Sequence, residues 1–227
     1  MCLHEAVSSY EREAKKESKE MDAMKFQEFE ALVARSRTRR RFDERVKVTE
    51  ETLTELIGLA RLCPSAANLQ ALRFVPVSGE AGCSTVFEHL VWAAALPEWP
   101  GPAAGERPTG YILILCDQSL AKQRETDDGI CVQTMMLGAN AMGLGGCMFG
   151  SVKRDALMDA LALDKSRYHL DLVLAIGKPV EDVRIVDAKE GGSLKYYRDA
   201  EGVHYVPKRS LKELIVKPGT VWRAPEQ

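Results

Sequence analysis

One stretch, DDGICVQTMMLGANAM at residues 127–142, constrains the fold more than any other part of the chain. It opens with two acidic residues, which suit a helix N-terminus, and it is apolar on nearly every side of a helix. A helix on the surface of a domain is apolar on one side only. We therefore expect a central buried helix, in which the methionines fill the core.

Apolar runs predict the strands of the domain. They are RFVPVS (73–78), YILILC (111–116), LDLVLAIGKP (170–179) and a shorter run inside GLGGCMFGS (143–151). Pro76 has no backbone N–H to donate, so we expect the first of these strands at a sheet edge. Beyond Pro179 the pattern changes to short extended pieces. These have too little periodic apolar content to fold alone, so we expect them to pack on the main body or on a partner subunit.

Helical spacing of apolar residues predicts four further helices, over residues 26–33, 49–63, 83–96 and 153–162. The second of these has the clearest start, because Thr49 is a favoured N-cap and Glu50 and Glu51 follow in the first turn. Residues 97–108 are rich in Pro and Gly, which predicts a loop and makes it a candidate cover for a site.

The composition is that of a globular protein, with 227 residues, 45% hydrophobic and 28% charged. We expect a polar extension at residues 1–22 followed by a single domain at residues 23–227. No apolar run approaches the roughly 20 residues that cross a bilayer, and the N-terminus lacks a secretory signal, so we expect a cytoplasmic protein with no membrane partner. The six cysteines and four histidines lack metal-binding spacings, so no metal is assigned.

Positive charge is concentrated in RSRTRRRF at residues 35–42, although the formal net charge is -2. Guanidinium groups grip phosphate bidentately, so this segment is a candidate site for a phosphate monoester. A nucleic-acid surface would be basic over a whole face, whereas acidic residues follow this run at once, so no nucleic-acid partner is expected. A solvated run of arginines is the remaining alternative.

Three other segments carry candidate polar groups. PSAANLQ at residues 64–70 offers uncharged hydroxyl and amide groups that suit a heterocycle, and VPKRS at residues 206–210 offers two cations that either reach a phosphate or face water. GLGGCMFG at residues 143–150 differs from the dinucleotide fingerprint, because Met148 occupies the third glycine position and the context is helix into strand. No G-x-S-x-G motif supports a serine hydrolase.

Taken together and in this order, these segments resemble the nitroreductase family of flavin enzymes, from about residue 28 to about residue 216. The family's R-S-x-R-x-F motif is similar to residues 37–42, and its P-S-x-x-N-x-Q turn is similar to residues 64–70. GANAMGLGGCMFGS (138–151) is similar to its helix-to-strand segment, and YYRDAEGVHYVPKRSL (196–211) to a branch of short members. Ser36 stands where many relatives place another arginine.

The resemblance implies a flavin mononucleotide (FMN) site. Arg37, Thr38, Arg40 and Arg209, with Lys208 as a further candidate, would bind the phosphate and nearby flavin oxygens. Pro64 would shape a turn from which Ser65, Asn68 and Gln70 approach the flavin bound mainly by the other subunit. Backbone N–H groups around Gly150 and Ser151 would approach the flavin N5 edge. No acid or base side chain is assigned, because the cofactor supplies the chemistry.

The resemblance further implies an α+β fold, with a central mixed or antiparallel sheet flanked by helices, and a homodimer in which the C-terminal segment is exchanged with the partner subunit. The implied activity is hydride transfer from NADH or NADPH to nitroaromatic, quinone or similar electron-poor small molecules by a ping-pong mechanism. The alternatives are dehalogenation, enone reduction or flavin destruction on the same scaffold, and a non-catalytic flavin-binding protein.

Overall fold

A computed structural model describes residues 26–92, 99–122 and 125–218. The chain divides into two compact units, Met1–Arg35 and Ser36–Gln227. Helix α1, Phe26–Arg35, is the described part of the first unit and confirms the helix predicted over residues 26–33. The predicted extension at residues 1–22, with its boundary, lies outside the described residues.

The second unit contains the remaining elements, which follow the predicted order closely. They are α2 Glu50–Arg61, β1 Leu72–Ser78, α3 Glu80–Glu88, β2 Gly110–Asp117, α4 Glu125–Ala141, β3 Gly145–Phe149, α5 Arg154–Ala160, β4 Tyr168–Gly177, β5 Val183–Asp187, β6 Tyr197–Arg198, β7 His204–Lys208 and α6 Leu211–Leu214. The hydroxyl of Thr49 accepts a hydrogen bond from the Thr52 N–H, so the predicted N-cap of α2 is confirmed.

A four-stranded antiparallel sheet in the order β1-β2-β4-β3 forms the centre of this unit. Strand β1 lies at an edge, as Pro76 predicted, and every residue of β2 is buried. The side chains of β2 alternate between two apolar clusters, so Ile112 and Ile114 pack on one side and Tyr111 and Leu113 on the other. The predicted α+β class, with a central antiparallel sheet flanked by helices, is confirmed.

Helix α4 is less enclosed than its sequence predicts. Val132, Met135 and Met136 pack into the same cluster as α2, whereas Ile130 and Gln133 are exposed. The reason is that one side of α4 packs on the sheet and on α2, and no described residue of this single chain covers the other side. The expectation of a helix covered on all sides is therefore wrong for the isolated chain.

Helix α3 is shorter and begins earlier than the helix predicted over residues 83–96. It begins at Glu80, after Gly79 with φ 78°, and ends at Glu88. Leu90 then pairs with Val152 in an isolated bridge, which turns the chain away from the helix axis. Residues 93–98, at the end of the predicted helix and the start of the predicted loop, lie outside the described residues; residues 99–109 form the remainder of that loop.

A second, three-stranded sheet in the order β5-β7-β6 forms the C-terminal part of the chain. Strands β5 and β7 pair in parallel, with Asp187 opposite Lys208, and β6 pairs antiparallel with β7. Strand β5 was not predicted. Its five residues, VRIVD, are all half-buried or exposed, so the strand adds nothing to the apolar core. Among the helices of the described ranges, none has both the length and the apolar character to cross a membrane.

Candidate flavin site

Strand β3 holds the arginine segment against the edge of the central sheet. Thr38 forms a parallel bridge with Gly146, and the Arg39 N–H donates to the Gly146 carbonyl oxygen at 2.8 Å. A side chain at Gly146 would meet the Ala175 carbonyl oxygen, because an added Cβ would lie 2.3 Å from it. Glycine is therefore needed here for the strands to approach, and the segment of residues 37–42 is placed by this contact.

A single carboxylate, that of Glu181, organises the same segment. It accepts hydrogen bonds from the backbone N–H groups of Arg40 and Arg41, the latter at 3.0 Å, and its second oxygen accepts from Arg198 Nη2 at 2.7 Å. The guanidinium of Arg39 donates to the Glu181 backbone carbonyl. The Glu181 side chain is only 3% exposed, so these charge-assisted bonds form away from water.

The arginines of this segment have different surroundings, so they do not form a solvated run. Arg41 forms a two-point ion pair with Glu106, whose hydrogen bond raises the pKa of Arg41. Burial lowers the pKa of Arg37 and of Arg39. The guanidinium of Arg40 lies 5.8 Å from the ring centre of Tyr196.

Arg40 also lines a small cleft of about 140 Å³ at the end of β3. The rest of the lining is Val91, Cys147, Met148, Phe149, Gly150 and Ser151. Three residues predicted to bind the cofactor, Arg40, Gly150 and Ser151, therefore come together. Arg154 fixes this loop, because its Nη2 donates to the Gly150 carbonyl oxygen at 2.9 Å.

The PSAANLQ turn lines a separate cavity of about 250 Å³, to which Pro64, Ser65 and Gln70 contribute. Asp127 fixes the turn, since its carboxylate accepts from the Ser65 hydroxyl at 2.9 Å and from the Ala66 N–H. The Ser65 hydroxyl in turn accepts from the Gln70 N–H at 3.0 Å.

The backbone of this turn is strained. Ala67, Asn68 and Gln70 have φ values of 50°, 53° and 47°, a left-handed conformation that side chains disfavour. The Gln70 side-chain amide donates to the Asn68 side-chain oxygen at 3.1 Å, and both residues are exposed. The turn thus presents two uncharged amides outward, whereas Ser65 is directed toward Asp127.

Lys208 and Arg209 lie in the C-terminal sheet and just after it. Asp187 is the β-sheet partner of Lys208, and Arg209 Nη1 lies 3.2 Å from the carboxylate of Glu213. Among the described residues, no hydrogen bond or ion pair joins Lys208 or Arg209 to Arg40 or to the turn at residues 64–70. Within the single chain the predicted site residues therefore form three groups. They are the arginine segment with the loop at Gly150 and Ser151, the turn at residues 64–70, and Lys208 with Arg209.

Sequence reasoning missed the acids that position this site. Glu181 and Glu106 hold the arginine segment, and Asp127 holds the turn. Each lies 62 or more positions from its partner, so no local spacing identifies the pairs. The dense positive charge at residues 35–42 was the one available signal, because buried cations require anionic partners.

Trp92 is a core residue. It is buried and stacks edge-on against Phe149, with ring centres 4.6 Å apart, and also contacts Phe87 and Trp99. Its partner Trp99 is partly buried against the same cluster. Phe149, which lines the cleft that contains Arg40, is thereby packed against the apolar core.

Comparison with known proteins defines the class of this protein. The family model of the Nitroreductase family matches residues 33–107 and 117–178, which is more than half of the chain. The chain belongs to the nitroreductase family. The predicted recognition and the enzyme class, an oxidoreductase of this family, are confirmed.

Individual relatives agree with this assignment. The Bacillus subtilis (strain 168) protein YdgI, named as an NAD(P)H nitroreductase, is 25% identical over 195 residues, which cover 70% of this chain and 92% of YdgI. A Desulfovibrio desulfuricans nitroreductase-family structure in complex with FMN is 23% identical with a TM-score of 0.59, covering 83% of this chain and 95% of that one. The gut-bacterial enone reductase CLA-ER is 18% identical with a TM-score of 0.56, covering 67% and 89%.

Proposed function

We propose that the protein is an FMN-dependent oxidoreductase that uses NADH or NADPH to reduce nitroaromatic, quinone or similar electron-poor molecules. One observation carries the proposal. Arg40, Gly150 and Ser151 line the same cleft at the end of β3. The family membership of the chain, and the FMN bound in the Desulfovibrio desulfuricans structure, support the same cofactor.

The donors at this cleft suit the cofactor. A phosphate monoester is a strong acceptor that favours guanidinium groups, and the arginine segment carries Arg37, Thr38 and Arg40, of which Arg40 lines the cleft. A Cβ added at Gly150 would have only one neighbour, Leu172 Cδ2 at 3.9 Å, so the backbone here is open to approach by a flat ring. Glu106 pairs with Arg41 and Glu181 pairs with Arg198, whereas no described carboxylate forms an ion pair with Arg40, which lines the cleft.

When bound, FMN would supply the hydride chemistry for a ping-pong exchange between the nicotinamide and the acceptor. The residues of the chain bind the flavin and orient it. In our proposal Arg37, Arg40, Lys208 and Arg209 hold the phosphate, and the N–H groups near Gly150 and Ser151 hold the ring edge. None of the residues in the cleft is assigned as a general acid or base.

We also propose a homodimer in which the turn at residues 64–70 of one chain meets the flavin held by the arginine segment of the other. Two observations support this arrangement. Within one chain, the turn lines a different cavity from the cleft that contains Arg40, as expected if the turn of one subunit meets the cleft of the other. Apolar side chains also lie uncovered on α4 and along the C-terminal segment, where Leu211, Leu214, Ile215 and Val216 are 61–88% exposed. A second copy with exchanged C-terminal segments would cover them.

A single domain for residues 23–227 with a polar extension before it, and a cytoplasmic location, remain part of the proposal. Enone reduction is the second candidate activity, favoured by the structural likeness to CLA-ER. The two candidates differ in the acceptor and share the cofactor site.

Purified protein tests the proposal directly. We expect yellow protein whose absorbance near the flavin maximum is bleached by NADH or NADPH without oxygen, and restored by a nitroaromatic, a quinone or an α,β-unsaturated ketone. Restoration by the ketone alone favours the enone reductase. Bound flavin that neither nicotinamide reduces supports the non-catalytic flavin-binding alternative, and colourless protein that does not take up FMN refutes the cofactor assignment.

A further inference from the structure

A third cavity, of about 290 Å³, lies where the loop before β2 meets helix α3. It is lined by Glu44, Lys47, Val48, Gly79, Glu80, Cys83, Ser84, Phe87, Arg107, Pro108, Thr109 and Tyr111. None of these residues lines the cleft that contains Arg40 or the cavity beside the 64–70 turn. The cavity is therefore separate from the proposed flavin site.

Tyr111 gives this cavity a buried hydrogen-bond donor. Its side chain is fully buried, and its hydroxyl has no hydrogen-bond partner within the described ranges. Burial raises the pKa of Tyr111 far above its ordinary value, so the phenol keeps its proton at neutral pH. A buried hydroxyl without a partner costs free energy, which a ligand oxygen at this position would recover.

Arg107 supplies a second donor of the same kind. Its Nε is buried without a hydrogen-bond partner among the described residues, and its guanidinium lies 4.3 Å from the ring centre of Phe87. No described carboxylate lies within ion-pair distance of Arg107 or of Lys47. Arg107 Nε and the Tyr111 hydroxyl thus lack an acceptor among the described residues, whereas Lys47 is exposed to solvent.

The other polar groups of the cavity are already satisfied or face solvent. The Thr109 hydroxyl donates to the Val46 carbonyl oxygen at 2.8 Å and accepts from the Val48 N–H. Glu44 accepts from the Gly105 N–H at 2.6 Å. Glu80 lies exposed in the first turn of α3. The unfilled hydrogen-bonding capacity is therefore that of Tyr111 and Arg107.

We propose that this cavity is a second binding site, which takes a small organic carboxylate. The carboxylate oxygens accept from the Tyr111 hydroxyl and Arg107 Nε, while Phe87, Val48 and Pro108 hold an apolar body. The two cations and two carboxylates of the lining cancel in formal charge. A single negative charge on the ligand consequently fits better than the two charges of a phosphate monoester.

Benzoate and hexanoate are suitable probes, with benzyl alcohol as an uncharged control of similar shape. We expect calorimetric titration of the flavin-loaded protein to detect both carboxylates, and to find binding about tenfold weaker or worse in Tyr111→Phe and in Arg107→Gln, since each loses one donor. Arg45→Gln, an exposed arginine outside the cavity, should bind like the parent. Three results would overturn the proposal. They are binding of benzyl alcohol as tight as that of benzoate, binding of the carboxylates by both cavity variants as tight as by the parent, and no binding of either carboxylate to the parent.

Unfolding without ligand gives an independent readout. Because the Tyr111 hydroxyl has no hydrogen-bond partner among the described residues, Tyr111→Phe should leave the urea midpoint unchanged or raise it, and should reduce the rise that benzoate produces in the parent. A lower midpoint in Tyr111→Phe would show that the hydroxyl is satisfied and would refute the proposal. Retention of FMN in both cavity variants separates this outcome from failure of the flavin assignment.

Discussion

The side-chain carboxylate of Glu181 accepts a hydrogen bond from the backbone N–H of Arg41 at 3.0 Å, across 140 positions of sequence. This contact ties the loop after β4 to the arginine segment. Because the backbone N–H of the preceding residue, Arg40, donates to the same carboxylate, Glu181 also fixes the direction of the chain at the cleft. Glu181, which lies outside every recognised motif, thus positions the arginine segment.

Replacing Glu181 should loosen the site. We expect Glu181→Ala to lower the free energy of unfolding by about 1–3 kcal/mol, because it leaves two backbone donors and Arg198 without their acceptor. Glu181→Gln retains one acceptor oxygen and should cost less. Urea unfolding measures the effect, and the exposed Glu190→Ala is the control. Equal stability of Glu181→Ala and Glu190→Ala would contradict the anchoring role.

The phosphate assignment predicts weaker flavin binding in three variants. Arg37→Ala, Arg40→Ala and Arg209→Ala each remove a charge-assisted contact of about 1.5–3 kcal/mol, which corresponds to a loss of affinity of roughly tenfold to more than a hundredfold. Fluorescence titration of the apoprotein with FMN measures it. Arg45→Ala, which removes an exposed arginine paired with Asp43, should bind normally. Unchanged affinity in all three variants would refute the assignment.

Strain in the 64–70 turn predicts an unusual response to glycine. The left-handed conformation costs an alanine about 1–2 kcal/mol, whereas glycine adds about 0.5–1 kcal/mol of chain entropy. Ala67→Gly should therefore be neutral or stabilising by up to about 1.5 kcal/mol in urea unfolding. Ala81→Gly, at an exposed position in α3, should cost about 0.5–1 kcal/mol. A larger loss at position 67 than at position 81 would contradict the strain.

Close packing at Gly146 predicts the opposite response to alanine. A methyl group there would overlap the Ala175 carbonyl oxygen, so Gly146→Ala should lower the free energy of unfolding by about 1–3 kcal/mol or more and displace the arginine segment. Gly129→Ala is a matched control in α4, where an added Cβ meets nothing within 4 Å; it should stabilise by up to about 1 kcal/mol. Similar stabilities for the two variants would argue against the close approach of β3 and β4.

Asp117 predicts part of the acid sensitivity of the fold. Hydrogen bonds from Arg167, at 2.8 Å, and from Ser119 hold the pKa of this buried carboxyl well below its ordinary value. Because the folded-state pKa is lowered, the carboxylate stabilises the fold above the unfolded pKa of about 4, and this contribution is lost as pH falls toward the folded pKa.

Asp117→Asn should accordingly be less stable than the parent at neutral pH, with a difference that narrows progressively below about pH 5. Urea midpoints between pH 7 and pH 2 measure this. Arg167→Gln removes the largest cause of the pKa shift of Asp117, so its stability difference from the parent should also narrow as the pH falls. A difference that stays constant over the whole range would contradict the assignment.

Local features of the sequence determined most of the elements. Thr49 and the acids after it fixed the start of α2, continuous apolar runs fixed β2 and β4, and Pro76 placed β1 at an edge. These signals succeed because capping, a short apolar run and the missing proline donor each depend on a few neighbouring residues. The ordered motifs at residues 37–42, 64–70 and 138–151 likewise identified the family.

Only the tertiary structure decided how those motifs are held. Glu181, Glu106 and Asp127 act on residues distant in sequence, and the cavity beside Tyr111 is formed by a loop, a strand and a helix that no single pattern connects. The end of α3 depends on the pairing of Leu90 with Val152, and the open side of α4 on the absence of a covering element among the described residues of one chain. Such features arise from packing between distant segments, so they exist only once the chain has folded.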